Sequence, residues 1–381
     1  MKQFLQAVSD FHLKDYGHRM RSWAEQGTPC ALFYYRQDEY LEKTLKPLLE
    51  SGIHLSVIVT LGGNLPSAPV PTVHAKDLPS WKERPQVVFF PETGFANAFT
   101  EFFHQLGMTC VTMNDVEKIR PFEELYDAKL VELYAAYADF ADEASKRAYL
   151  GAWKYQASSC LDDFDIAPEP QYFLHDFAAR PGDVVIDGGA FDGETGRQFQ
   201  SAAGSEGQVF SFEMDAENFP KCQAVAEKYG FVAENMGLSD HTYQAGYLHG
   251  GNSASSTKQY GGNRIAQFTS IDEYVVEHDL PRVDFIKLDI EGAELEALQG
   301  AALTIARWKP RMAISAYHKP EDFWTLQQYI KSLRPDYVFA FRHYGIGYQD
   351  PVFNDEMRSV IECFPHTPTV PTMWERVLYC R

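Results

Sequence analysis

Three stretches of this sequence put glycines and carboxylates where they could hold a small organic ligand and remove a proton from it. The first runs Asp183-Val-Val-Ile-Asp187-Gly188-Gly189-Ala190-Phe191-Asp192-Gly193-Glu194-Thr195. An apolar run, Val184–Ile186, enters a glycine turn and then a helical pattern. Such a turn needs glycine because backbone amides must approach a ligand closely, and left-handed φ values are required on the way. The second stretch is Gln208-Val-Phe-Ser-Phe212, which ends in Glu213, 26 residues after Asp187. A carboxylate at the end of a second strand, about 20 residues past a glycine turn, is placed to accept hydrogen bonds from ribose hydroxyls. The third is Phe285-Ile-Lys287-Leu-Asp289-Ile-Glu291-Gly-Ala-Glu294, another apolar run ending in acids.

These side chains need a scaffold that brings three separate segments together. Apolar strands alternating with helical patterns predict a parallel sheet with crossovers, and ligands of such sheets lie beyond the carboxyl ends of the strands. Asp187, Glu213 and Asp289 are therefore expected to face one crevice. The dinucleotide fingerprint G-x-G-x-x-G fails from Gly188, because Ala190 takes the middle position. The pattern that fits is D-x-G-x-x-x-G, through Asp187, Gly189 and Gly193, the pattern of Rossmann-like methyltransferases that bind S-adenosylmethionine.

On that reading, Asp187 and the backbone of Gly188, Gly189, Ala190 and Gly193 cradle the methionine portion of the cofactor. Glu213 takes the ribose, and Asn235, near the end of the third strand, approaches the adenine. Asp289 or Glu291 is the expected general base, with His318, at the end of the apolar run Ala313–Ala316, as competitor, since imidazole titrates near neutrality. His343 is a weaker candidate. No compact metal-ligand motif is present, although Asp289, Glu291 and His318 could together hold a divalent ion that acidifies an acceptor hydroxyl.

The runs IDGGAFDGET, VFSFE and FIKLDIEGAELEALQGA, with EPQYF at 169–173, FRHY at 341–344 and ERVLYC at 375–380, resemble the FkbM family of S-adenosylmethionine-dependent methyltransferases. The resemblance covers about residues 165–381. It implies a class I (Rossmann-like) methyltransferase fold: α/β, a seven-stranded sheet with helices on both faces. It also implies methyl transfer to a hydroxyl oxygen, on a sugar, a glycan or a secondary metabolite. About 30 residues, Gly345–Trp374, separate FRHY from ERVLYC and suggest an inserted lid or interface.

Outside that region, residues 1–120 read as a smaller α/β domain of unassigned role. Strands are expected at Ala31–Tyr35, His54–Thr60, Gln86–Phe90 and Thr109–Met113, and helices at Tyr40–Leu49 and Ala96–Leu106. The Pro/Gly-rich stretch 62–72 reads as a connection. Residues 121–165 read as a helical linker, with one long helical region over 122–158, and 166–381 as the methyltransferase domain. The polar stretch 250–262, with Ser255 and Ser256, reads as a loop.

Composition narrows the rest. The 381 residues carry 53 acidic and 34 basic side chains, a formal charge of −19, and the sequence pI is about 5.0. The excess is uneven: residues 101–300 hold 35 acids against 14 bases. That balance argues against nucleic-acid binding through phosphate contacts. No apolar run approaches the roughly 18 residues of a membrane span, and the N-terminus does not read as a secretory signal. Six scattered cysteines without a C-x-x-C pair suit buried thiols in a reduced, cytoplasmic setting. The expected partners are a small-molecule or glycan substrate, and a second copy through the N-terminal domain. Two rival readings are a non-catalytic nucleotide-fold binding or scaffold protein and an NAD-dependent oxidoreductase.

Overall fold

The structure is a computed structural model that describes residues 2–6, 16–34, 38–62, 65–82, 84–90, 99–100, 102–112, 129–158, 166–249, 255–256, 264–346 and 370–381. The chain divides into two compact units. The first comprises Met1–Tyr134, Arg147–Ile166 and His343–Met373, and the second Ala135–Lys146, Ala167–Arg342 and Trp374–Arg381.

The first unit holds β1 (Cys30–Phe33), β2 (Leu55–Thr60), β3 (Thr72–His74), β4 (Val87–Phe90) and β5 (Thr109–Thr112) in the order β3-β2-β1-β4-β5. All four pairings are parallel. The runs are apolar at nearly every position because a parallel sheet is covered on both faces. Side chains alternate accordingly: Ala31, Phe33, Val57, Val59, Val88 and Phe90 enter one core cluster, and Cys30, Leu32, Ile58, Val87 and Phe89 the other. The helix Leu41–Glu50 adds Leu41, Leu45 and Leu48 to the second cluster, an i, i+4, i+7 stripe. Thr72–His74, which starts at the last residue of the expected 62–72 connection, pairs with β2 as an edge strand that the sequence analysis did not include.

The long helical region expected over 122–158 is two helices, Leu130–Asp139 and Glu143–Ser158, with residues 122–128 outside the described part. The break has a local cause. Asp142 accepts the Ser145 backbone N–H at 2.7 Å and the Ser145 hydroxyl at 2.8 Å, which starts the second helix with a side-chain cap.

The second unit is built on β6 (Val184–Gly188), β7 (Gln208–Phe212) and β8 (Val232–Glu234). Next come β9 (Gly237–Leu238), β10 (Tyr243–His249), β11 (Ser255–Ser256) and β12 (Arg264–Thr269), which form a small separate sheet. Ser255–Ser256 thus pairs with Leu248–His249 instead of lying in a loop, while 250–254 and 257–263 are outside the described residues. Finally β13 (Phe285–Leu288), β14 (Arg311–Ser315), β15 (Phe339–Ile346) and β16 (Val370–Cys380) complete the main sheet, ordered β15-β16-β14-β13-β6-β7-β8, with residues 343–346 and 370–373 of the last two strands falling in the first unit's segments.

From β8 to β14 the main sheet is parallel, and β16 runs antiparallel to β14. Counting only these seven strands along the chain, the order is 6-7-5-4-1-2-3. The order reverses between β6 and β13, which makes their carboxyl ends the switch point where a ligand crevice opens. Register then does the positioning: Asp187 of β6 lies between Ser211 of β7 and Lys287 of β13.

Among the described residues no helix is long and apolar enough to cross a membrane. Cys30, Cys110, Cys222 and Cys380 are buried free thiols; Cys160 and Cys363 lie outside the described residues. Most of the Gly345–Trp374 insertion also lies outside them.

Candidate active site

The chain leaves β6 at Gly188 and turns through Gly189, whose φ is +77°. A Cβ built on Gly189 would stand 1.8 Å from the Asp289 carbonyl oxygen, so no other residue fits this crossing of two backbones. The Gly189 and Ala190 N–H groups donate to the Phe212 carbonyl at 2.9 and 3.0 Å, tying the turn to the end of β7. Gly193, at φ +87°, opens the helix Glu194–Ala203 and packs against the Cys222 backbone. The D-x-G-x-x-x-G spacing therefore marks two positions that need glycine.

Asp187 is fully buried. Thr195 and Ser211 donate their hydroxyls to its Oδ2 at 2.9 and 3.0 Å, and Lys287 Nζ stands 3.2 Å from its Oδ1. Lys287 is 1 % exposed and also donates to the carbonyls of Gly188 (2.9 Å) and Gly189 (2.6 Å), with the Tyr172 ring 5.3 Å from its ammonium. This lysine fixes the glycine turn from beneath. It lies inside the third motif, in register with Asp187, yet the sequence reading gave it no role.

Glu213 sits at the end of β7, nearly buried. The Phe191 N–H donates to its Oε2 at 2.8 Å and the Asp215 N–H to its Oε1 at 2.7 Å. Phe191 holds a left-handed φ of +50°, uncommon for a bulky residue, and that conformation aims its N–H at Glu213. Burial pushes the Glu213 carboxyl above its ordinary range, against the lowering effect of the two N–H donors and Lys287. The Asn235 amide donates to the Glu213 carbonyl at 2.9 Å, so Asn235 braces the same corner. Asp187, Gly188, Gly189, Ala190, Gly193, Glu213 and Asn235 thus form one group around the ends of β6, β7 and β8.

A second group stands at the ends of β13 and β14. Asp289 accepts the Tyr172 hydroxyl on Oδ2 at 2.6 Å and the Tyr317 hydroxyl on Oδ1 at 3.2 Å. His318 Nε2 lies 3.6 Å from Asp289 Oδ1 and 3.5 Å from Glu291 Oε2, and its Nδ1 lies 2.9 Å from Glu294 Oε1. Glu294 is buried and accepts the N–H groups of Ile290 (2.9 Å) and Gly292 (3.3 Å).

The charges of this group shape one another. Burial works to raise the Asp289 carboxyl, but Lys287, His318 and the Tyr172 hydrogen bond outweigh it and hold it below its ordinary value. Burial raises Glu291. For His318 burial opposes the charged ring, yet Glu294, Asp289 and Glu291 push it up to about 9. Glu375, which accepts the Gln171 amide at 2.5 Å, is raised to about 7 by burial and by Asp289.

Asp289, Glu291 and His318, the candidates for the acceptor proton, therefore stand side by side. Tyr172, Tyr317 and Glu294 join them without having been singled out. His343 is buried in β15 and belongs to the first unit.

The seven-stranded sheet with its antiparallel β16, and a glycine turn followed by an acid at the next strand end, define the class I fold of S-adenosylmethionine-dependent methyltransferases. Residues 187–362 match the family model described as the methyltransferase FkbM domain. Among solved structures it is similar to the FkbM methyltransferase of Methylobacillus flagellatus KT, at 18% identity, covering 100% of this chain and 98% of that one with a TM-score of 0.65, a likeness of fold. Two other structures also match. One is a putative rRNA methylase from Clostridium thermocellum (9% identity, 53% of this chain, 87% of that one, TM-score 0.29). The other is Aeropyrum pernix fibrillarin with natively bound S-adenosyl-L-methionine (13%, 55%, 71%, 0.29). None of the curated proteins matches the sequence.

Proposed function

We propose that this protein transfers the methyl group of S-adenosylmethionine to a hydroxyl oxygen of a sugar, a glycan or a secondary metabolite. The observation that carries the reading is Glu213. Each of its carboxylate oxygens takes one backbone N–H, which leaves each a lone pair for the vicinal hydroxyls of a ribose. That pair of acceptors fits the ribose of the cofactor; Gly189 and Gly193 are required by the approach of the Asp289 and Cys222 backbones, which fixes the turn beside it.

Asp187 acts through the turn, since its oxygens are taken by Thr195, Ser211 and Lys287. The backbone of Gly188, Gly189, Ala190 and Gly193 would hold the methionine portion, and Asn235 would border the adenine while fixing the Glu213 backbone. The bound cofactor supplies an activated methyl on a sulfonium centre. The protein's share is to align the acceptor oxygen with the carbon–sulfur bond and to take its proton. Asp289 and Glu291 are the groups for that proton; His318, whose ring Glu294, Asp289 and Glu291 push up to about 9, already carries one near neutral pH. Asp289 already accepts two tyrosine hydroxyls, so Glu291 is the less engaged carboxylate.

Isothermal titration with S-adenosylhomocysteine tests the cofactor half: Glu213→Ala should bind at least tenfold more weakly, about 1.4 kcal/mol. Undiminished binding in that variant would remove Glu213 from the cofactor site. Labelled methyl transfer to panels of glycans and small hydroxylated molecules tests the acceptor half, with the label expected as an O-methyl ether.

A further inference from the structure

One carboxyl group at this end of the sheet has no part in the reaction as described so far. Glu375 lies on β16, whose pairing with β14 sets Val377 opposite Ser315 and continues with the Ala316 N–H donating to the Arg376 carbonyl at 2.8 Å. Two residues past Ser315, Tyr317 therefore stands level with Glu375. Lys287 pairs with Ala313 and Ala313 with Tyr379, so strand alternation puts Lys287, Asp289, Tyr317, Glu375 and Tyr379 on one face. Arg376 turns to the opposite face, its guanidinium 5.6 Å from the Phe323 ring. The segment before β6 lies along the first face. Gln171 donates to Glu375 Oε2 at 2.5 Å, the Tyr172 N–H to the Tyr379 hydroxyl at 2.9 Å, and the Tyr172 hydroxyl to Asp289 Oδ2 at 2.6 Å. Tyr172 adopts a left-handed φ of +67° there, a conformation that a bulky residue keeps only where its surroundings fix it.

The carboxyl groups at this end are engaged to different degrees. Asp289 has both oxygens on tyrosine hydroxyls, and Glu291 and Glu294 face His318. Glu375 uses Oε2 alone; Oε1 has no hydrogen-bond partner among the described residues, and the residue is partly exposed. Both Asp289 and Glu375 act on the Tyr172 and Tyr317 hydroxyls, which they push up, so the two carboxyls share one neighbourhood. Burial and Asp289 favour the protonated form of Glu375, whereas Gln171, His318 and Lys287 favour the ionised one, and the balance leaves it at about 7. Asp289 is held below its ordinary value, so a proton placed on it runs downhill to Glu375. A carboxyl that titrates near neutral pH can take a proton and give it back within a turnover.

We propose that Glu375 is where the acceptor's proton comes to rest: Asp289 and Glu291 take it from the hydroxyl, and Glu375 receives it from Asp289 and releases it to water through Oε1. The inference rests on the methyl-transfer reading. The acceptor O–H bond breaks as the new C–O bond forms, and the electrons of the methyl–sulfur bond pass to sulfur. The proton goes to Asp289, then to Glu375, and Asp289 is left ionised for the next acceptor.

Infrared difference spectra of the full-length protein, grown with carboxyl-labelled glutamate so that aspartates are set apart, test this without cofactor or acceptor. A protonated glutamate band should ionise at about pH 7, and Glu375→Gln should remove it. Asp289→Asn should move the midpoint down by about one pH unit, because a like charge nearby disfavours ionisation. Gln171→Leu should move it up, because the amide favours the carboxylate. In the labelled-methyl assay Glu375→Gln should lower turnover at least tenfold and flatten the rise in rate through that pH, with affinity for S-adenosylhomocysteine within twofold. Glu375→Asp should recover part of the turnover. A spectrum in which Glu375→Gln removes no band, or a midpoint that Asp289→Asn leaves in place, overturns the proposal, and so does a Glu375→Gln enzyme with the parent's turnover and pH profile. A parent that transfers no label to any acceptor overturns the methyl-transfer reading instead, an outcome separate from the infrared titration.

Discussion

Lys287 Nζ lies 3.2 Å from Asp187 Oδ1, and neither side chain reaches solvent. The pair is the register of β6 and β13 made chemical: Asp187 and Lys287 are direct neighbours on adjacent parallel strands. Two further bonds from the same ammonium, to the Gly188 and Gly189 carbonyls, extend its hold from the sheet to the turn. Stability and cofactor binding should therefore fail together when it is lost.

Lys287→Met keeps an unbranched stem, one atom shorter, and removes the charge. Removing one partner of a buried pair leaves the other uncompensated, at a cost of about 3–5 kcal/mol. The expected result in urea denaturation is a loss of that order, with binding of S-adenosylhomocysteine weakened at least tenfold. Adding Asp187→Asn should restore a substantial part of the stability, because the orphaned charge is gone. A single variant within about 0.5 kcal/mol of the parent, the scatter of ordinary surface substitutions, would show that the pair does not support the fold.

Glycines with positive φ are not equivalent here. Gly182 (φ +83°) has nothing within 4 Å of a built Cβ, whereas Gly189 (φ +77°) meets the Asp289 carbonyl at 1.8 Å. Gly182→Ala should cost only the left-handed penalty, about 1–2 kcal/mol, and leave cofactor binding unchanged. Gly189→Ala must push β6 and β13 apart where the two groups of the site meet. Calorimetric titration should find at least a tenfold loss of S-adenosylhomocysteine affinity in a chain that still unfolds cooperatively. Equal effects of the two substitutions would contradict the crossing.

What could be read from the sequence was what is local. Asp187, Glu213 and Asp289 close apolar runs, and the turn glycines follow within six residues of Asp187, so strand ends and turn were visible without the fold. Lys287 was visible only as a polar residue inside an apolar strand, because its partner is set by inter-strand register. Tyr172 and Tyr317 reach Asp289 from segments 117 residues before and 28 after it, and nothing in their own neighbourhoods announces that. The break between Leu130–Asp139 and Glu143–Ser158 was missed for a different reason: an apolar stripe outweighed Asp142 and Ser145, a capping pair in plain view.

Glu213 predicts opposite pH trends for folding and for binding. Burial raises its carboxyl pKa above that of the unfolded chain, so the folded chain holds this proton more tightly. The stabilisation is complete below the unfolded value, about 4.3, and is lost as the pH rises through the folded value. Ribose recognition needs the ionised carboxylate, so affinity for S-adenosylhomocysteine should rise across that same window. Urea midpoints and titrations of the parent against Glu213→Gln isolate both trends, which the substitution should flatten. Two trends of the same sign would refute this assignment.

Tyr172→Phe removes one hydroxyl and leaves the ring over Lys287 and the Tyr172 N–H bonded to the Tyr379 hydroxyl at 2.9 Å. The hydroxyl gives Asp289 its shortest hydrogen bond, 2.6 Å, and a bond to a charged acceptor is worth about 1.5–3 kcal/mol. If Asp289 must be held in one orientation to serve the acceptor, turnover in the labelled-methyl assay should fall at least tenfold. Affinity for S-adenosylhomocysteine should stay within twofold, because Tyr172 touches the cofactor group only through Lys287. Tyr317→Phe, which removes the longer 3.2 Å bond to the other oxygen, should follow the same pattern with a smaller loss. A Tyr172→Phe enzyme that kept its turnover would mean that the two tyrosines pack against Asp289 without positioning it.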